Sequence, residues 1–94
     1  MAGTATAVTI SALQINTTIG DYLFIAVNGT DSGPASCSTN TQYQFVLNLT
    51  TNEGQQTMAL LLAARASGAT VTIIGTGACT SGFSTVETLG SIQY

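Results

Sequence analysis

Apolar and polar positions along this chain alternate, slip and then change period, and the places where they do so mark its elements. Thr4 to Ile19 is almost wholly Thr, Ala, Val and Ile, a composition that suits a pleated strand. Val8 and Ile10 share one face, yet Leu13, Ile15 and Ile19 continue on the other. A period-2 pattern that slips near Ala12 predicts a β-bulge, or a strand that bends to serve two sheets. Ile19-Gly20-Asp21 reads as a tight turn, and Tyr22 to Val27 as a continuously apolar strand closed by Asn28-Gly29. Tyr43, Phe45, Leu47 and Leu49 alternate with Gln44, Val46, Asn48 and Thr50, which predicts a half-buried strand.

Beyond Thr50 the period changes from strand to helix. Thr50 and Glu53 fit a capping box, and a start nearer Gly54 fits as well. Met58, Leu61, Leu62 and Arg65 fall at i, i+3, i+4 and i+7, with Leu60, Ala63 and Ala64 widening the stripe. Gly68 is placed to stop this helix in a left-handed conformation. A helix apolar on so many sides is expected to be covered by a sheet, a neighbouring copy, or both. Ala69 to Ile74 predicts a further strand, Thr85 to Leu89 the last, with Ile92 and Tyr94 after it. The predicted order is β-β-β-α-β-β, in a single domain over residues 1–94.

Composition narrows the chemistry. The chain is 45% hydrophobic and 5% charged, with one Arg, no Lys and no His. Its mean hydropathy of +0.39 and net charge of −3 are the reverse of a disordered segment. One cation cannot neutralise a phosphate backbone, which argues against nucleic acid as a partner. No apolar run approaches the roughly 20 residues of a membrane span. Ser and Thr abound, but no imidazole or amine is there to activate them, so no catalytic residue is assigned. Asp21, Asp31, Glu53 and Glu87 are scattered, without the Asp-x-Asp spacing of a calcium loop, and no metal or cofactor is expected. Gly75-Thr76-Gly77 lacks the lysine and following helix of a phosphate loop and reads as a strand-end turn. Arg65, in the last helical turn, suits the helix dipole, and Glu87 or Asp21 of a neighbouring strand or copy is an alternative partner. The sequons at Asn16, Asn28 and Asn48 are what a Thr-rich chain produces by chance.

The two cysteines, Cys37 and Cys79, stand in loop-like contexts with no CxxC or His beside them. An even pair in a small, weakly charged chain reads as one structural disulfide, the alternative being two unrelated thiols. The N-terminus has no charged n-region or long apolar run. With a disulfide expected, we read Met1 as standing in place of a removed leader, and the mature chain as secreted or periplasmic. The polar loop that follows Asn28-Gly29 through Thr41, about 13 residues around the single proline, Pro34, is long enough to suggest a functional role, and Asn28 to Tyr43 is the candidate binding surface.

The strand order, the bent first strand and the helix between strands three and four resemble an OB-fold, a five-stranded antiparallel barrel. Within that class the chain resembles the binding (B) subunits of secreted bacterial AB5 toxins of the subtilase-cytotoxin and typhoid-toxin type. The similarity lies in the strand Asp21 to Val27, in Ala35-Ser36-Cys37, in the helix Met58 to Gly68 and in the strand Val71 to Ile74. It covers about Gly20 to Leu89; the chain departs in lacking helix aromatics and in having at most one disulfide. The resemblance implies a homopentameric ring, a glycan ligand and a catalytic A-subunit-like partner. The residues themselves point to a non-enzymatic binding module, since Ser, Thr, Asn, Gln and an aromatic face match sugar hydroxyls without charge. Candidate glycan contacts are Asn28, Asp31, Ser32, Asn40, Tyr43 and Phe83, and the candidate homo-oligomer interface is Met58, Leu61, Leu62 and Arg65. The competing expectation is a structural protein whose partners are copies of itself or another chain.

Overall fold

The structure is a computed structural model and describes residues 2–15, 18, 20–80 and 83–94, with the backbone alone at 80, 83 and 84. It is mainly β with one helix: β1 Thr4–Ile15, β2 Tyr22–Asn28, β3 Asp31–Ser32, β4 Phe45–Asn48, α1 Asn52–Ser67, β5 Val71–Thr80 and β6 Phe83–Gln93. Asn16, Thr17 and Ile19, assigned by pattern to the first strand and its turn, lie outside the described residues.

The strands form one sheet in the order β2-β4-β6-β5-β1-β3, and an added β1–β2 pairing closes a ring of five strands. Two features correct the expectation of five antiparallel strands. β4 and β6 run parallel, through Phe45 opposite Glu87, because α1 carries the chain across between β4 and β5. A sixth strand, the two-residue β3, lies against Thr4 and Ala5 of β1 inside the stretch read as loop. The slip read near Ala12 is present: the β1–β2 register shifts between Ile10 and Ala12. A second shift, between Ala5 and Val8 on the β1–β5 side, has no counterpart in the hydrophobic pattern.

The ring encloses the main core. Val8 and Ile10 of β1, Leu23, Ile25 and Val27 of β2, Phe45 and Leu47 of β4, Val71 and Ile73 of β5 and Leu89 of β6 all point inward. The alternate residues Phe24, Val46 and Val86 form a second cluster with Tyr22 and Tyr43. β2 is therefore buried on both faces, which is why its sequence is apolar without alternation.

The helix ends where its caps dictate. Thr51, not Thr50, is the N-cap: its hydroxyl accepts from the Gly54 amide at 2.9 Å. Thr50 instead donates to Asn48 Oδ1 at 2.7 Å. Gly54 lies so close to the Asn48 carbonyl that a side chain there would collide with it, and this contact fixes the helix start. Gly68 closes the helix at φ 69°, with its amide bonded to the Ala64 carbonyl. The buried face is Gly54, Leu61 and Ala64, flanked by the half-buried Met58. Leu60 and Leu62 remain 43% and 51% exposed, so the helix is covered on one side. Among the described residues no helix is long and apolar enough to cross a membrane.

Candidate functional site

The loop after β3 is tied down along its length. Cys37 and Cys79 form a disulfide with Cα atoms 6.2 Å apart, fastening the loop to β5. The Thr39 and Asn40 amides both donate to the Thr85 carbonyl at 3.0 Å. Asn40 Oδ1 accepts from the Gln42 and Tyr43 amides at 2.8 Å each, so its carboxamide oxygen serves the turn. Tyr43 is half-buried with its ring 5.7 Å from that of Phe24, completing the second core cluster. Asn28 and Ser32 are exposed along one edge of β1, opposite Thr9 and Thr4. The Phe83 side chain lies outside the described atoms. Of the helix residues, Leu61 is fully buried in its own chain, Met58 is half-buried, and Leu62 and Arg65 face outward.

A recess lies elsewhere. A groove of about 310 Å³ is lined by Ala7 of β1, Thr70, Val71 and Thr72 at the start of β5, and Gln93 and Tyr94 at the end of β6. It sits at the β1–β5 register shift, and the backbone shows why. Ala7 has φ 51°, the one positive value at a non-glycine residue among those described. A left-handed alanine costs about 1–2 kcal/mol, a local strain that the surrounding sheet must hold. The Ala7 amide turns toward Thr72 Oγ1, at 3.4 Å, instead of continuing the ladder. Tyr94 borders the groove with 56% of its surface exposed, its hydroxyl 2.9 Å from Ser67 Oγ. An aromatic ring, two threonines and a carboxamide thus line an uncharged recess. Neither Ala7 nor Gln93 stands out in the sequence, and Tyr94 was visible only as one of three tyrosines.

A second constellation is buried. Glu87 is fully enclosed, and its carboxylate accepts only backbone amides: Gly3 at 3.0 Å, Ala35 at 3.1 Å and Gly77 at 3.0 Å. These donors come from the N-terminal segment, the disulfide loop and the middle of β5, where Gly75-Thr76-Gly77 continue the strand through a register shift instead of ending it in a turn. Gly3 and Gly75 leave it room, since a Cβ at either would run into its oxygens. Asp31 reaches the same place. A Cβ on Gly3 would stand 2.5 Å from Asp31 Oδ1 and 2.8 Å from Glu87 Oε1. Asp31 Oδ1 is buried without a hydrogen-bond partner. Burial first, and the neighbouring Glu87 charge second, raise the Asp31 carboxyl above the usual aspartate value of 3.8. The four acids scattered in sequence thus include a pair brought together by the fold. Among the described residues no three His, Cys, Asp or Glu side chains gather as metal ligands.

Compared with protein-family models, curated proteins and solved structures, the chain matches none.

Proposed function

We propose that this chain is a non-enzymatic, extracytoplasmic sugar-binding module that assembles into a ring of identical copies. The observation that carries the reading is the groove at the β1–β5 bulge. It offers Tyr94 as a stacking face and Thr70, Thr72 and Gln93 as hydroxyl and amide partners. Such a lining suits a neutral sugar, whose hydroxyls pair with uncharged side chains and whose ring packs on an aromatic. Asn28 and Ser32, on the opposite edge of the same β1 segment, extend the polar surface toward a longer glycan.

Three further features support the rest of the reading. The disulfide suits an oxidising compartment, secreted or periplasmic. The ring order β1-β2-β4-β6-β5, with the helix between β4 and β5, is consistent with an OB-like barrel of the toxin B-subunit kind. The outward Leu60 and Leu62 favour burial against another copy, and a ring, including a pentamer, disposes of such faces by closure. A catalytic A-subunit-like partner belongs to the same proposal. As for catalysis, the most enclosed carboxylate, Glu87, already spends its acceptors on backbone amides.

The test is a glycan array on the purified chain, followed by Tyr94→Ala and Thr72→Ala on any hit. Binding lost in both variants, with thermal stability kept, supports the groove. Binding lost instead in Asn28→Ala and Ser32→Ala returns the site to the loop edge. No glycan above background overturns the sugar reading and leaves a self-assembling structural protein.

A further inference from the structure

We propose that Asp31 and Glu87 form an acid-tightened latch that holds β3 and the disulfide loop against the N-terminal segment and releases them as the pH rises. The geometry is that of two carboxyl groups crowded over one glycine. Asp31 Oδ1 and Glu87 Oε1 both lie within 3 Å of the position a Gly3 Cβ would take. Oδ1 is buried and has no donor facing it. With both groups ionised, two carboxylates stand over the same glycine, with Asp31 Oδ1 and the whole of Glu87 shut off from water. A proton on Asp31 converts that arrangement into a donor and an acceptor, and one negative charge is shared.

The latch is placed to move something. β3 is two residues long and is held to β1 at Thr4 and Ala5. The Glu87 carboxylate bonds the Gly3 amide on one side of this strand and the Ala35 amide just after it. Repulsion at Asp31 therefore acts on the two-residue β3 and its contacts at Gly3 and Ala35, while the loop beyond stays fastened to β5 by the disulfide. Among the described residues the charged surroundings are simple. β1 brings Thr4 and Ala5 to Asp31, the N-terminal segment brings Gly3, and β6 brings Glu87, the one ionisable group among them. The single arginine, Arg65, is exposed in the last turn of α1. The raised Asp31 value gives the sign: its contribution is fully present below its unfolded value and is lost as pH rises through the folded one.

Side-chain carboxyl NMR with amide-exchange protection factors, from about pH 4 to about pH 8, tests this on the intact protein. The expected result is an Asp31 midpoint above 3.8, with Gly3 and Ala35 protection falling through the same midpoint. Asp31→Asn, which carries a permanent side-chain donor, is expected to keep that protection across the range. An Asp31 midpoint at or below 3.8 overturns the proposal, as does protection that stays constant while Asp31 titrates. So does an equal fall in Asp31→Asn. Should that variant fail to fold, the two wild-type titrations decide by coincidence or mismatch of their midpoints.

Discussion

Glu87 shows how one residue gathers contacts that lie far apart in sequence. Three backbone amides from three segments converge on its carboxylate. Removing the acceptor leaves buried donors unmet, and each costs about 1–3 kcal/mol. Glu87→Ala is therefore expected to lower unfolding free energy by at least about 3 kcal/mol, read from the urea midpoint. Gly75→Ala attacks the same site from the other side, because its methyl would overlap Glu87 Oε2 and Cδ. A loss of about 1–3 kcal/mol is expected, read from the same urea midpoint. None of this was legible in the sequence. Glu87 looked like any solvated acid in a Thr-rich strand, because its donors are backbone groups 10 to 84 residues away. The strain at Ala7 was equally hidden, since Thr4-Ala5-Thr6-Ala7 has too weak a pattern to reveal a slip.

At the scale of elements, what is local was readable and what depends on a neighbour was not. The end of α1 at Gly68 is chemistry between residues a few positions apart, and the sequence marks it to the residue. The start shifted from Thr50 to Thr51 because Gly54 must approach the Asn48 carbonyl, a contact outside the helix. The buried face was ambiguous for a simple reason: Leu60, Leu61, Leu62, Ala63 and Ala64 offer an apolar side chain in nearly every direction. The structure chooses Leu61 and Ala64. Leu61→Ala is expected to cost about 2–5 kcal/mol, whereas Leu62→Ala, compared at a concentration where the chain is single, should fall within about 0.5 kcal/mol of wild type. Matched thermal or urea melts separate the two, and a reversed order would mean the helix is rotated from the face described. Thr51→Ala should lose about 1 kcal/mol through the cap, and Thr50→Ala less.

For the whole molecule, closure is the controlling fact: β1 joins both β2 and β5, and the parallel β4–β6 pair completes the ring. The sequence order of the five ring strands was legible from alternation and turns, but the two-residue β3 and the parallel pair were not, since both depend on which neighbour the chain meets. The disulfide, legible from cysteine count and context, spans 42 residues and limits the unfolded ensemble by about 4 kcal/mol in the chain-entropy model. The double variant Cys37→Ala, Cys79→Ala should therefore melt well below wild type. What closure leaves over is the outer face of α1. Leu60 and Leu62 are apolar and exposed, and they flank the buried Leu61, each about 100° around the helix from it. Burying such a face against identical copies removes apolar area from water, at roughly 25 cal/mol per Å², and a stable contact takes about 800 Å² per partner. Light scattering at micromolar concentration is expected to give a multiple of the 9.5 kDa chain mass. The double variant Leu60→Ser, Leu62→Ser should return the mass to 9.5 kDa with its own melt nearly intact, because neither side chain supports the core. A wild-type mass of 9.5 kDa would rule out assembly through this face and with it the ring.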